Sequence, residues 1–385
     1  MTSGFTATEL AALLGRPTRA EITSADRAEF RGRRVLVTGA AGSIGSEIAR
    51  ELAASAPAAI ALVDHSELGL FTIEREIRAA WPDVPVEAIL ADVSHAPSMQ
   101  RAFRAIRPHV VYHAAAYKHV TMVERAASVA VRVNVMGSVH VAEAAASAGA
   151  RFVLISSDKA ADPQSVMGAT KRAAEMATLA LASASFRPIV VRFGNVIGSS
   201  GSVVEIMREC VRAGRPVPVT DPDATRYFMT AGEAVALVLG ADLLGRSAEI
   251  FWLDMGEPVR MGDLVERLMA NEVRAGYAAT PIDVIGLRPG EKRNEILTDD
   301  ALTFQRTIDH RILVARESRV NARTLTNGMR LISRAAADAD DALALEGLST
   351  LLPAFEPSAH ARELARPGGA GTREPVSPRR RGRAA

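Results

Sequence analysis

The sequence predicts an α/β protein: a Rossmann-type doubly wound parallel sheet carrying a smaller, mixed substrate-binding lobe. Three observations predict it. Six short apolar runs are mostly separated by stretches of helical length and pattern. A Gly-x-x-Gly-x-x-Gly turn, Gly39 to Gly45, directly follows the first run. Past Phe193 the regularity breaks, and Gly, Pro and Ser rise. Alternation of this kind gives βαβ units, with the sheet covered on both faces.

The elements follow in order. Residues 1–30 read as an N-terminal segment of short helices. Residues 33–38 form a buried strand around Val35-Leu36-Val37, and the glycine turn then opens a helix running to about Ala53. The run 59–63 ends at Asp64, and 86–90 leads to Ala91-Asp92. The run 110–113 leads into Ala114-Ala115-Ala116. The runs 151–155 and 188–191 end at Ser156 and Arg192. Residues 31–193 are thus the nucleotide-binding domain, 194–330 the lobe interleaved with the sheet, and 331–356 C-terminal helices. Residues 357–385 turn to Pro, Gly and Arg and read as a disordered tail.

Composition excludes several classes. At 48% hydrophobic and 23% charged residues, a chain of 385 holds a sizeable core. One cysteine, Cys210, excludes an intrachain disulfide, and no metal-ligand spacing occurs. No apolar run nears the ~18 residues of a membrane span, and no signal pattern opens the chain. A cytoplasmic protein with no metal and no membrane partner is the expectation. Arg366, Arg373, Arg379, Arg380, Arg381 and Arg383 crowd the end against Glu374. Without interleaved aromatics they read as a solvated tail rather than a nucleic-acid site.

The glycine turn suits a dinucleotide pyrophosphate. Gly39, Gly42 and Gly45 allow a tight turn and close approach, and Ser43-Ile44 open a helix whose N-terminus favours an anion. Asp64 stands at a strand end where ribose hydroxyls bind, and its charge would repel a 2′-phosphate. NAD is therefore expected, with NADP the alternative because His65 and Ser66 follow. Asp92-Val93 is either an adenine contact or a helix cap. Ala114 and Ala115 are small enough for backbone to approach the cofactor. Lys118 and His119 fall at the sheet's carboxyl edge, as substrate ligands or surface residues.

The most informative stretch is Ser156-Ser157-Asp158-Lys159, followed by Val166-Met167-Gly168-Ala169-Thr170-Lys171. In short-chain dehydrogenases a Ser or Thr precedes a Tyr-x-x-x-Lys pair. Here the spacing stands but the Tyr is Met167, whose thioether has no proton to exchange. The site is either dead or has moved its proton chemistry to other residues. Ser157-Asp158-Lys159 reads as catalytic groups or as a capping turn. Met167 alone would be core packing and Lys171 a surface lysine, but the place of Lys171 after the fifth strand suits a cofactor-ribose contact. Two further runs, Thr225-Arg226-Tyr227 and Gly286 to Lys292 with Arg288, carry arginine forks that suit a diphosphate or surface salt bridges.

Together VLVTGAAGSIGSE, HAAAYKHV, SSDKA, VMGATKRAAE, VRFGNVIGSSGSV, ATRYFMT, FWLDMGEPV and GLRPGEK resemble the extended short-chain dehydrogenases. Within them they resemble the polysaccharide-biosynthesis (capsule type) UDP-N-acetylglucosamine 4,6-dehydratases. The likeness runs from about Leu13 to Pro353. Met167 marks the branch of larger, usually membrane-anchored members, and Leu13 to Arg16 resembles the segment that joins their membrane part to the catalytic domain. The resemblance implies a free-standing catalytic domain and a homo-oligomer. It implies transient C4 oxidation of a UDP-sugar by NAD, loss of water across C5–C6, and return of hydride at C6. It implies Lys159 as the C5 base, with a lowered pKa, and Asp158 as the acid. Ser157 would hold the C4 oxygen and Lys171 the nicotinamide ribose, while Lys118, His119, Asn195, Arg226 and Arg288 bind substrate. The family's pattern differs at Gln164-Ser165, Ala126-Ala127 and Arg293-Asn294, which bears on the identity of the sugar. Competing readings are a nucleotide-sugar 4-epimerase of the same fold and a non-catalytic NAD-binding protein.

Overall fold

The computed structural model describes residues 5–17, 22–246, 248–295, 303–316 and 321–366. The six expected strands form as β1 (Arg34–Thr38), β2 (Ala59–Asp64), β3 (Val86–Leu90), β4 (Val110–His113), β5 (Arg151–Ile155) and β6 (Pro188–Arg192). They pair in parallel in the order β6-β5-β4-β1-β2-β3. Every residue of β4 and β6 is buried. This explains the continuous apolar runs of the interior strands, since helices cover both faces.

The sheet has nine strands because the lobe returns to it. Glu249–Leu253 pairs in parallel with β6, and Ile312–Ala315 and Gln305–Arg306 add antiparallel at that edge. Single-sequence patterning missed these three strands, because in the lobe short elements give no sustained period.

The helix Ser43–Ala53 buries Ile48, Ala49 and Leu52 on one face against the sheet. The helix Val166–Ala180 has nearly every residue buried through Thr178, because both of its sides are covered. On its outer side lie two helices, Ala322–Asp338 and Asp341–Leu351. The first starts at Ala322 rather than at 331, capped by the Asn321 side chain. Leu345, Leu348 and Leu351 bury fully or nearly so in this layer, each worth about 1.5–3 kcal/mol. A further helix, Ala359–Leu364, lies in the segment expected to be disordered from 357. Its N-cap Ser358 also donates to buried Glu124, so tertiary contacts order it despite its polar composition. The arginines from Arg373 onward lie outside the described residues.

No helix among the described residues is long and apolar enough to cross a membrane. No cluster of metal-binding side chains occurs among them.

Candidate active site

A cavity of about 690 Å³ opens along the carboxyl edge of the parallel strands. The glycine loop forms one end of it. Gly39 has φ +67°, and an added Cβ there would lie 2.6 Å from the Ala115 nitrogen. A Cβ at Gly45 would lie 2.1 Å from the Gly39 oxygen. These two glycines are therefore required by the turn itself. Gly42 is different: a Cβ there would meet only the Gly39 oxygen at 3.2 Å, and the residue faces the cavity. It leaves the space, at a helix N-terminus, that a pyrophosphate would need.

Asp64 sits behind this loop. One carboxylate oxygen accepts from the Ala41 N–H at 2.9 Å and the other from the Ser66 N–H at 2.9 Å. It shapes the turn and keeps lone pairs for a ribose hydroxyl. Asp92 accepts from the Ser94 N–H at 2.8 Å in a local turn, and His95 rather than Asp92 is the N-cap of the following helix, Ala96–Ile106. Gly39, Asp64, Asp92, Val93 and Ala115 lie off the cavity wall, whereas Gly42, Ser43, Ile44, Gly45, Ala114 and Lys171 form part of it.

The other end holds the proton chemistry. β5 delivers Ser156 and Ser157 at its carboxyl end, and one helical turn, Asp158–Ala160, follows. The Ser157 hydroxyl donates to Asp158 Oδ1 at 2.8 Å. Lys159 Nζ lies 3.0 Å from the same oxygen and 3.1 Å from Glu295 Oε1. It also donates to Asn195 Oδ1 at 3.5 Å. Burial by itself would pull the Lys159 ammonium down, but Asp158 and Glu295 outweigh it and hold the group above its ordinary value. The lowered value expected for a base is thus reversed in this state of the protein. Asp158 is 1% exposed and lies off the cavity wall, while Ser157, Lys159 and Glu295 form part of it.

Met167 and Lys171 both face the cavity from one helix side. Lys171 donates to the Ile155 carbonyl at 2.6 Å, and burial lowers it to about 8 against the pull of Glu175. Behind it lies a fully buried ion network. Glu175 accepts from Ser156 Oγ at 2.5 Å, from Arg192 at 2.9 and 2.6 Å, and from Arg172 at 3.2 Å.

All five expected substrate ligands line the cavity: Lys118, His119, Asn195, Arg226 and Arg288. Lys118 Nζ donates to Ser199 Oγ at 3.2 Å, and burial lowers its pKa. Burial also lowers His119, with Lys118 adding to the effect. The two arginines differ. Arg226 donates to the carbonyls of Thr225, Arg293 and Lys292 at 2.8, 2.8 and 2.5 Å. Much of its fork holds protein backbone. Arg288 is exposed, and its guanidinium makes no hydrogen bond or ion pair among the described residues, so it is the freer anion ligand.

Three residues escaped the sequence reading. Asn134, within a π-helical turn (Val131–Gly137), accepts from the Tyr117 N–H at 2.8 Å and donates to the Tyr117 carbonyl at 3.0 Å. It fixes the segment that carries Lys118 and His119. Glu124 accepts from the Val166 N–H and from Ser358 Oγ, both at 2.6 Å. Glu295 is the second carboxylate on Lys159. An acid three residues beyond Lys292, in a run expected to bind an anion, was a visible signal for it; an Asn between the valines Val133 and Val135 was one for Asn134.

The parallel sheet, the glycine loop beneath a helix N-terminus and the Ser-Asp-Lys cluster at a later strand's end define an extended short-chain dehydrogenase fold. Residues 35–317 match the family model described as polysaccharide biosynthesis protein, and the chain belongs to that family. The probable polysaccharide biosynthesis protein EpsC of Bacillus subtilis is 46% identical over 290 residues, 74% of this chain and 48% of its own. An inverting UDP-N-acetylglucosamine 4,6-dehydratase of Campylobacter jejuni is 29% identical over 286 residues, covering 72% of this chain and 81% of its own. Among solved structures, Pen of Bacillus thuringiensis superposes with a TM-score of 0.69 at 28% identity, over 75% of this chain and 89% of its own. The UDP-glucose 4-epimerase of Thermus thermophilus, solved with NAD, gives 0.59 at 27% identity, over 69% and 90%. The chain spans about half the length of the first curated relatives it matches.

Proposed function

We propose that the protein is an NAD-dependent 4,6-dehydratase acting on UDP-N-acetylglucosamine or a close UDP-sugar, of the branch in which Met replaces the catalytic Tyr. The observation that carries this reading is the cluster of Lys159 with Asp158 and Glu295, beside Ser157 in the cavity that the glycine loop closes. A 4-epimerase has only the C4 hydroxyl proton to manage. An elimination must take a proton from C5 and give one to the departing C6 hydroxyl, so it needs paired acid and base groups.

The chain's residues fit the cofactor. Gly42 leaves space at a helix N-terminus, Asp64 stands at the ribose position, and Lys171 is the buried ammonium at the nicotinamide end. Bound NAD would accept a hydride from C4 and return it to C6. Ser157 holds the C4 oxygen. The 4-ketone acidifies the C5 proton; Lys159, having passed its own proton to Asp158 across 3.0 Å, takes it, and Asp158 gives its proton to the departing C6 oxygen, which leaves as water. Lys171 orients the nicotinamide ribose, and its positive charge favours an anionic C4 oxygen. Met167 packs and exchanges no proton. Lys118, His119, Asn195 and Arg288 hold the sugar nucleotide. The similarity to the Campylobacter dehydratase supports the substrate class.

The experiment is incubation with UDP-N-acetylglucosamine in deuterated water, followed by mass spectrometry. The expected product has lost one water and carries deuterium at C5. Interconversion of two UDP-N-acetylhexosamines without loss of water would instead establish the epimerase reading. No turnover, with no NAD or NADP released from denatured protein or bound on addition, would leave a non-catalytic protein.

A further inference from the structure

Resting on the dehydratase reading, we propose that Arg16 is a positioning residue: it holds the backbone behind Gly194 and Asn195, and so keeps that wall of the site in register with Lys159 and Asp158. The N-terminal segment is then part of the catalytic unit, although none of residues 5–17 lines the cavity. Its helix, Ala7–Leu14, packs on the lobe, where Leu13 and Leu14 bury among Leu264, Val265 and Leu268. Arg267 donates to the Leu13 carbonyl at 3.1 Å. Gly15 ends the helix with φ +67°, and the Arg16 N–H returns to the Ala11 carbonyl at 3.2 Å. A Cβ at Gly15 would lie 2.8 Å from Arg267 Nη1, so only glycine fits this turn. Beyond it the Arg16 side chain runs inward and is 13% exposed.

The Arg16 fork meets three partners inside the fold. Nη1 lies 2.6 Å from Glu233 Oε1. Nη2 donates to the carbonyls of Phe228 and Met255, at 3.2 and 3.4 Å. Both of those residues support the active-site wall. Phe228–Met229 pairs in parallel with Asn195–Val196. Across that pair the Asn195 N–H donates to the Tyr227 carbonyl at 3.0 Å, and the Ile197 N–H to the Met229 carbonyl at 2.9 Å. The Gly194 N–H meets Met255 Sδ at 2.8 Å. The wall in turn touches Lys159 and Asp158. Asn195 Oδ1 accepts from Lys159 Nζ at 3.5 Å, and a Cβ at Gly194 would lie 3.2 Å from Asp158 Oδ2.

An ion pair that only stabilised the fold would need Glu233 alone. Glu233 also belongs to the capping box of the helix Ala231–Leu244, accepting from the Thr230 N–H at 2.9 Å. The two carbonyls add direction, because a planar fork fixes the backbone it binds and a point charge does not. Direction matters here: misplacing a reacting group by about 1 Å costs on the order of 10²-fold in rate. A second cavity, of about 290 Å³, opens beside the guanidinium, with Met229, Glu233 and Asp254 in its wall. It gives a small planar cation access to the same partners once the side chain is removed.

The test is Arg16→Ala, read in two ways. Amide hydrogen exchange with mass spectrometry needs no substrate. The peptide spanning residues 193–198 should exchange about tenfold faster at Asn195 and Ile197, while β1 exchanges as in wild type. Kinetics then read the consequence. kcat for water loss from UDP-N-acetylglucosamine should fall about tenfold or more, with KM and UDP affinity within about twofold. Millimolar guanidinium chloride, far below denaturing concentrations, should restore kcat in the variant and leave wild type unchanged. Arg16→Lys, which keeps the charge but not the fork, should fold as wild type does and recover only part of kcat. Exchange quickened equally in β1 would show a merely structural role and overturn the proposal. So would unchanged exchange at residues 193–198, quickened exchange there with kcat intact, or full kcat in Arg16→Lys. If wild type itself loses no water, the dehydratase reading falls, and the exchange result still decides whether Arg16 holds the wall.

Discussion

At the scale of single residues, the Tyr-to-Met replacement matters less than the charges around Lys159. Met167 is 4% exposed and offers no proton, so only its packing counts. Met167→Leu should keep substantial dehydratase activity, since a volume-conserving swap usually costs under about 1.5 kcal/mol. Lys159→Ala should lose about 10²-fold or more in water loss, measured on the same protein preparation. Full activity in Lys159→Ala would remove the lysine from the mechanism. Lys171 makes a separate prediction. Burial lowers it to about 8, so its charge is lost as pH rises through that value. If the cation is the working form, kcat/KM should fall above about pH 8, and Lys171→Arg, which stays charged, should flatten that limb. A profile identical in both proteins would sink the assignment.

At the scale of elements, two connections set the site. One is the segment Gly286 to Glu295, with exposed Arg288 at one end and buried Glu295 at the other. Truncating one partner of a hydrogen-bonded charge pair typically costs about 2–5 kcal/mol where the pair is buried, as a bound diphosphate would bury this one. Arg288→Ala should therefore weaken UDP binding about tenfold or more, at about 1.4 kcal/mol per decade, with NAD binding unchanged. Unaltered affinity by calorimetry would place the diphosphate elsewhere. The other connection is the Glu175–Arg192 pair between the helix Val166–Ala180 and β6, with both side chains 0% exposed. Removing one partner of a buried pair leaves an uncompensated charge. Glu175→Gln should thus cost about 3–5 kcal/mol in chemical denaturation. A change below 1 kcal/mol, about the value of an exposed pair, would mean that water reaches Arg192.

At the scale of the whole molecule, His113 ties the first and fourth strands to the π-helical turn. Ser138 donates to the Asn134 carbonyl at 2.6 Å, so its oxygen accepts the His113 Nε2 proton at 3.0 Å. Nδ1 is then left to accept from Thr38 Oγ1 at 2.6 Å. Burial, aided by Lys171, lowers this imidazole to about 3. Between pH 6.5 and about 3 the unfolded chain binds a proton that the folded chain refuses. Stability should therefore fall as pH falls through this window, by on the order of 4 kcal/mol for this group. Denaturation of wild type and His113→Asn across the window should show a shallower slope in the variant. Parallel slopes would show that other groups set the acid limit.

The sequence by itself determined the sheet and the place of the candidate site. Continuous apolar runs and a glycine turn are local signals, and β1 to β6 form within a residue or so of them. Motif spacing likewise located Ser157, Lys159, Met167 and Lys171, because they sit on one strand end and the helix after it. Only the tertiary structure decided what depends on residues far apart in the chain. It brought Glu295 to Lys159 from 136 positions further along the chain, and it turned Asp158 behind the cavity wall. It added three strands to the sheet from a lobe without a sustained period. It also raised Lys159 instead of lowering it. The reason is physical: a pKa is set by whichever charges folding places within a few ångströms, and spacing along the chain does not record them.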